Sequence, residues 1–369
     1  MAWRILIFLS VIQGFLFFVH WVIYKTVLSA FAIKDPNIIL RIRVSFIILA
    51  ASFLLISIAA NSFISPAIDW LYRISATWLG TTNLLFWASL VFWIIIGASS
   101  RLNINLDWKI TGSILFGVAI VANIFGIYNS FRPKITTYEI KLPNLPSSWQ
   151  GRRAVLVSDT HFGNMRGTAS SRKLTEKINE LSPDLVFIPG DYYDGPLAKY
   201  EEIATEMKNV KAPLGVFFST GNHEEFREPS PYTNALKKAG IKVLNNEKEN
   251  VEGVDIIGTT YMNSNSYEQL LQTLRKIGIE ENKPSILLKH APFAPAGAAD
   301  AGISLMLSGH THLGQQWPFN LITRQIFKEA TYGRYSAGTM QGITTSGYGT
   351  WGPPQRIGTR SEIVLLKFN

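Results

Sequence analysis

Hydrophobic and polar positions divide this chain into two halves with different rhythms. Over the first 131 residues, four uncharged apolar stretches follow one another: Ile5–Tyr24, Val44–Ile68, Ile74–Ser100 and Ile110–Phe131. Each is long enough for a helix to cross a hydrocarbon core, which takes about 20 residues. A soluble buried helix would carry a polar stripe at 3.6-residue spacing, and runs such as Val91-Phe92-Trp93-Ile94-Ile95-Ile96 carry none. Asn61 to Ser65 and Thr81 to Asn83 are read as water-facing breaks, and Trp3, Trp21, Trp70, Trp78 and Trp108 as an interfacial aromatic belt. Lys25 interrupts the approach to the cleavage-like Ala30-Phe31-Ala32, so the first stretch is read as a retained anchor.

Beyond Phe131 the rhythm changes. Residues 132–153 form a connector with Pro133, Pro143 and Pro146, in which Tyr138, Ile140 and Leu142 alternate with Glu139 and Lys141 as in an opening strand. From Ala154 to Asn369 short apolar runs alternate with helical patterns. Predicted strands are Ala154–Ser158, Leu185–Pro189, Gly215–Ser219, Val254–Gly258, Ser285–Leu288, Ser304–Leu307 and Glu362–Phe368. Helices are predicted around Leu174–Leu181 and Ile203–Val210. This alternation predicts a layered α/β (α+β) domain with mixed sheets, preceded by a four-helix transmembrane region.

The charge follows the same division. Of 35 Lys+Arg and 26 Asp+Glu, ten basic and three acidic residues lie at or before Lys134, giving +7, and the remaining 25 and 23 give +2. The basic excess therefore flanks apolar segments, which suits anionic headgroups and not a nucleic-acid groove. Six basic residues in the first and third connections face four on the other side, so the domain after Phe131 is expected outside the cytoplasm. The absence of cysteine removes disulfides and thiolate ligands together.

Five of the six histidines fall in four short motifs: Asp159-Thr160-His161, Gly221-Asn222-His223-Glu224, Lys289-His290-Ala291-Pro292 and Gly309-His310-Thr311-His312. Gly190-Asp191-Tyr192-Tyr193-Asp194 adds carboxylates. Each motif follows a strand-like run, where ligand sites of layered α/β folds collect. Glycines 190, 221 and 309 are expected to supply the sharp turn from strand to loop. Any one of these residues alone reads as a turn or a satisfied core group. Together, Asp, Asn and His without Cys suit two divalent ions of the Mn, Fe or Zn type. A hydroxide bridging such ions is a strong nucleophile, and both ions stabilise charge on a phosphoryl group.

The ordered set Asp-x-His, Gly-Asp-x-x-Asp, Gly-Asn-His-Glu, a lone His and Gly-His-Thr-His resembles the motifs of the calcineurin-like metallophosphoesterases, over roughly Ile135 to Asn369. The ending from Ser346-Gly347-Tyr348-Gly349-Thr350 through Arg356 to Glu362-Ile363 resembles a membrane-anchored bacterial branch. The resemblance implies a sandwich of two mixed β-sheets flanked by helices. It implies one metal held by Asp159, His161, Asp191 and His312, and a second by Asp191, Asn222, His290 and His310, with Asp191 bridging. It implies that His223 contacts the phosphoryl group and helps protonate the leaving oxygen, oriented by Asp194, a pairing that general acid–base logic supports. Glu224 and Gln315 stand beside the motifs in supporting positions.

Phosphoester hydrolysis follows from this resemblance, but the ester does not. Tethering favours lipid-borne substrates, so the leading expectation is a membrane-anchored two-metal phosphodiesterase or phosphatase acting on an envelope or lipid-linked phosphate, with membrane lipids as partners and no nucleic acid. The alternatives are an enzyme resembling the UDP-diacylglucosamine pyrophosphatases of lipid A synthesis, a phosphoprotein phosphatase, or a membrane scaffold with a vestigial domain. Trp149, Trp317 and Trp351 are open to two readings, core packing or contact with the bilayer surface.

Overall fold

The computed structural model describes residues 2–63, 65–195, 199–280 and 282–369. It separates into two compact units, one of residues 1–128 with 352–355 and one of 129–351 with 356–369.

The first unit holds four long helices, α1 (Ala2–Ala30), α2 (Pro36–Ala60), α3 (Pro66–Leu102) and α4 (Trp108–Phe131, whose last turn belongs to the second unit). All four are long and apolar enough to cross a membrane. Proline sets where two of them begin. Pro36 and Pro66 occupy first-turn positions where a missing N–H costs nothing. Asp35 caps α2 by accepting from the amides of Asn37 (2.7 Å) and Ile38 (3.2 Å), and Ser65 caps α3. The second apolar stretch therefore stops at Ala60 and does not run on to Ile68. Trp78 lies inside α3, not at a span end: its indole N–H donates to His20 Nε2 at 2.9 Å, as Trp93 donates to Thr26 Oγ1 at 2.9 Å. Both bonds satisfy groups that hydrocarbon would leave unpaired.

The second unit is built on two six-stranded mixed sheets. The first has the order β1 (Lys134–Ile140), β12 (Glu362–Phe368), β2 (Arg153–Leu156), β3 (Leu185–Pro189), β4 (Gly215–Ser219), β5 (Lys242–Val243). The second has the order β10 (Gly333–Ala337), β11 (Met340–Thr344), β9 (Leu305–Ser308), β8 (Ser285–Leu288), β7 (Val254–Gly258), β6 (Glu247–Val251). Within each sheet the central strands run parallel: β2 to β5 in one, β7, β8, β9 and β11 in the other. Helices α5 (Thr168–Glu180), α6 (Tyr200–Thr205), α7 (Asn222–Glu225), α8 (Ser230–Lys238), α9 (Tyr267–Ile277), α10 (Pro295–Asp300) and α11 (Phe319–Phe327) complete the unit.

Side-chain alternation makes the layers. Ala154 and Leu156, Leu185 and Phe187, Ile286 and Leu288, and Leu305 and Leu307 point into one cluster between the sheets. Their neighbours Val155, Val186 and Ile188 pack outward with Leu174 and Ile178 of α5. Leu287 and Met306 pack outward with Leu270 and Leu274 of α9. Strands β2, β3, β8 and β9 are buried on both faces, so each reads as a continuous apolar run. The parallel strands of both sheets end on one edge, and the motif loops begin there.

Candidate metal centre

Asp159 and His161 follow β2, Asp191 follows β3, Asn222 follows β4, His290 follows β8, and His310 and His312 follow β9. The structure brings all seven together. Potential ligand atoms of Asp159, His161 and His312 lie within 4.8 Å of one another, as do those of Asp191, His290 and His310. Asn222 joins the second group through its Oδ1, 3.1 Å from His290 Nε2. Asp191 Oδ2 faces both groups, at 3.1 Å from His290 Nε2 and 3.9 Å from His161 Nε2.

The backbone is strained at these positions. Asp159, His161, Asp191, His310 and His312 all have φ between +47° and +68°. A non-glycine residue pays about 1–2 kcal/mol for that region, and such outliers persist where the surroundings over-determine them. The motif glycines work by different means. Gly190 does take a positive φ of +80°, the turn expected of it. Gly221 and Gly309 do not; they are small because a Cβ on Gly221 would lie 2.2 Å from Asp191 Oδ1, and one on Gly309 2.1 Å from Asp159 Oδ2.

The donor atoms fit cations. His161 Nε2 and His312 Nε2 stand 3.0 Å apart, and His310 Nδ1 and His290 Nε2 stand 3.1 Å apart. Two neutral imidazoles cannot both aim lone pairs at each other without cost, yet two nitrogens each about 2.1 Å from one ion stand about 3 Å apart. Second partners fix the rings: His290 Nδ1 is 2.9 Å from the carbonyl of Pro189, which leaves Nε2 facing the site. Burial, reinforced by the neighbouring imidazoles, pushes His161 and His310 down to about 3, so both are neutral and ligand-competent. Burial alone would also lower His290, but Asp191 and Asp159 outweigh it and push His290 up to about 9. Despite complete burial, Asp191 is held well below the usual carboxylate range by His290, His223 and His161.

His223 and Asp194 sit beside this cluster. Nδ1 of His223 is 3.1 Å from Asp194 Oδ1, and the His223 and His161 ring centres are 4.6 Å apart. The His223 amide donates to Asp191 Oδ1 at 2.9 Å. Burial opposes the imidazolium, but Asp191 and Asp194 outweigh it and push His223 up to about 10.

Such an assembly of strand-end donors invites comparison with known proteins. The calcineurin-like phosphoesterase family profile matches residues 152–314. An uncharacterized metallophosphoesterase of Campylobacter jejuni is 30% identical over 257 residues, covering 67% of each chain. The chain belongs to the calcineurin-like metallophosphoesterase family. A zebrafish (Danio rerio) transmembrane protein with metallophosphoesterase domain is 32% identical over 270 residues, 68% of this chain and 61% of its own. A Helicobacter pylori metallophosphoesterase, also uncharacterized, is 30% identical over 247 residues, 66% of each. The chain thus spans roughly three fifths to two thirds of the length of these three relatives, which include both bacterial and animal proteins.

Three residues of this metallophosphoesterase domain carry more than their sequence positions suggested. Glu224 is fully buried and accepts from the amides of Gly221 (2.9 Å), Asp191 (3.0 Å), Tyr192 (2.9 Å) and Tyr193 (3.1 Å), so one carboxylate locks two motif loops together. Burial and the charge of Asp191 push it up to about 7. Glu225 accepts from the amides of Tyr261 (2.7 Å) and Met262 (2.8 Å), drawing in the loop whose Tyr261 ring lies 6.0 Å from His290 and 5.8 Å from His310. Arg356 is buried beneath His312. Its Nη2 donates to the carbonyls of Ser346 and Gly349, both at 2.7 Å, and these take its two hydrogens, so the 3.2 Å approach to His312 Nδ1 is a packing contact. Burial pushes Arg356 down to about 9. The signal for Glu224 was faint but present: an acid following Asn-His at the start of a helix, three residues after a glycine, is placed to cap it.

Trp149 is core: it is buried edge-on to Phe368 at 5.0 Å and donates to the Val251 carbonyl. Trp317 and Trp351 are exposed.

Proposed function

We propose that the protein is a membrane-integrated, binuclear metal-dependent phosphoester hydrolase, with a phosphodiester or phosphomonoester on a lipid as its substrate. The observation that carries this reading is the meeting of seven N/O donors from five strand ends of two sheets, with a His–Asp pair at their side. Asp159, His161, Asp191 and His312 would hold one divalent ion and Asp191, Asn222, His290 and His310 the other, with Mn, Fe or Zn suited to the donors. Such ions supply a water acidic enough to attack near neutral pH and neutralise charge on the phosphoryl oxygens.

The chain's own residues do the rest. His223, protonated and held by Asp194, donates from Nε2 to the leaving oxygen, which would otherwise depart as a costly alkoxide. Asp194 keeps the ring's tautomer and direction, as in other His–carboxylate pairs. Glu224 fixes Asp191 relative to His223 by gripping both loops. Phe226, with its ring 5.7 Å from His223, and Trp351, at 6.4 Å, form an apolar rim beside the donor.

Lipid-linked substrate and location belong to the same proposal. Four apolar helices and basic flanks support integration in a bacterial cell membrane, with the six-to-four charge asymmetry favouring an extracytoplasmic catalytic domain. The test is hydrolysis of bis-p-nitrophenyl phosphate by purified full-length protein, stripped of metal and titrated with Mn, Fe or Zn. Activity should return with about two ions per chain. An enzyme equally active after exhaustive chelation, or one that binds no divalent ion, would refute the reading. A C-terminal reporter active only in the cytoplasm would overturn the orientation and favour the nucleotide-linked alternative.

A further inference from the structure

Helix α11 wears its apolar stripe on the wrong side for a soluble domain. Phe319, Ile322 and Ile326, spaced i, i+3 and i+7, are exposed by 49%, 53% and 57%. The helical positions with less exposure are Asn320, Thr323 and Phe327, the same spacing shifted by one residue. A helix packed for water turns its apolar stripe to the core and its polar face outward. Here two of the three inward positions are polar, no residue of the helix is buried, and Trp317 and Leu321 add 41% and 54% exposed side chains beside the stripe.

The helix stands next to the metal centre. Its last residue, Phe327, lies 5.9 Å from the His310 ring and 4.7 Å from Phe293, which itself lies 6.3 Å from His310. On the other flank, Gln315 exchanges two hydrogen bonds with the backbone of Trp351 (2.9 and 3.1 Å), whose ring neighbours His223. Charge along this stretch of the chain is one-sided. Between Ala301 and Ser361 the basic residues are Arg324, Lys328, Arg334, Arg356 and Arg360, and the only acid is Glu329. Arg324, Lys328, Arg334 and Arg360 are exposed, as is the single acid Glu329.

We infer that α11 is an interfacial helix that lies in the headgroup layer of the bilayer carrying the chain's own spans, with Phe319, Ile322 and Ile326 among the upper acyl carbons. The inference rests on the phosphoesterase reading only for its consequence, the delivery of a lipid phosphoester to the adjacent metal centre. Three observations choose a bilayer as the occupant. The chain holds four apolar helices long enough to span a membrane, and only Arg132 and Pro133 separate the end of α4 from β1, so the connection is too short to carry the domain far from a bilayer that α4 crosses. An outward apolar stripe with basic residues beside it is the composition of interfacial helices. The depletion of acids over sixty residues complements anionic headgroups.

A chain without cysteine makes the test direct. Ile322→Cys and, as a control, the exposed Lys238→Cys are labelled with a bimane fluorophore in the full-length protein. Both are reconstituted in nanodiscs of phosphatidylcholine and phosphatidylglycerol, with or without bromine on the acyl chains. Quenching at position 322 should exceed that at 238 by about twofold or more. Equal quenching overturns the proposal, and so does a label shielded from water yet insensitive to bromine, which would mean a protein partner. This measurement needs no turnover, so it fails independently of the hydrolase reading. Its functional arm is Ile322→Glu/Ile326→Glu, with both positions outside the site. Hydrolysis of soluble bis-p-nitrophenyl phosphate should be unchanged while hydrolysis of nanodisc phospholipid falls about tenfold. Equal loss on both substrates, or on neither, overturns it.

Discussion

The two units use the same residue types and put them in opposite places. In the spans, large apolar side chains face outward: Ile48, Ile94, Val121 and Phe125 are all more than 60% exposed. In the catalytic unit, Leu156, Phe187, Phe217, Leu288 and Leu307 are fully buried. What differs is the solvent each unit was selected for. In hydrocarbon an outward isoleucine costs nothing and a lone hydroxyl is expensive. In water the reverse holds. The comparison teaches where to look for exceptions, since an outward apolar stripe in a unit that otherwise buries its large apolar side chains needs a reason, as α11 does. So does a cluster of ionisable groups buried in it.

The sharpest division between the units is functional. Asp191→Ala removes the side chain that faces both groups of donors, and its carboxylate also receives the His223 amide. Hydrolysis should fall to background and bound metal to below about two ions per chain, with membrane insertion unaffected. Metal analysis of the purified variant and carbonate extraction of membranes check the two halves separately. A variant that keeps full turnover would break the assignment. His223→Ala is the next largest effect. It should retain both ions and lose about 10²–10⁴-fold in turnover, the usual worth of a positioned acid or base. Loss of metal from this variant would make His223 a structural residue.

Packing gives the next contrast. Leu307 lies fully buried between the sheets, so Leu307→Ala should lower the catalytic unit's stability by about 2–5 kcal/mol. Ile48→Ala, at a position 62% exposed, should shift stability by no more than about 0.5 kcal/mol. Thermal unfolding of both variants in the same nanodiscs measures the difference. Equal costs would mean that the outward face of α2 is covered by another chain.

Much of this was legible in the sequence, for reasons that the structure makes explicit. The limits of β3, β4, β7, β8 and β12 match the apolar runs residue for residue, because strands buried on both faces have abrupt chemical ends. The motif residues were legible because each stands just beyond such an end. Hidden were β5 and β6, which border their sheets and are partly exposed, so Glu247-Lys248-Glu249-Asn250 looks like loop. The β10–β11 hairpin was also hidden, since Gly333-Arg334-Tyr335-Ser336-Ala337 has too few apolar positions to show a period. Trp78 misled because tryptophan near a polar stretch resembles an interfacial anchor; its N–H partner on α1 is invisible to a one-dimensional pattern. Glu224 and Arg356 were seen but undervalued, since a buried charge declares its partners only when folded loops converge on it.

The smallest expected effect tests whether the catalytic unit is tuned for water at its surface as well as its core. Asp255 on β7 accepts from Asn250 at 2.7 Å and pairs with Lys283 (3.0 Å) and Lys248 (3.3 Å). Burial alone would raise its pKa, but Asn250, Lys283 and Lys248 outweigh that and hold it below the usual carboxylate range. A carboxylate whose folded pKa is depressed adds stability that is present above its unfolded value, about 3.9, and is lost as pH falls through the folded value. Both lysines are partly solvated, so the contribution is discounted to about 1 kcal/mol. Asp255→Asn should therefore be less stable than the parent chain by that amount at pH 7, and the gap should close on acidification below about pH 4. Urea midpoints measured from pH 7 to pH 3 decide it. A gap that stays constant across the range would assign the loss to packing and leave the charges of β7 without a role in stability.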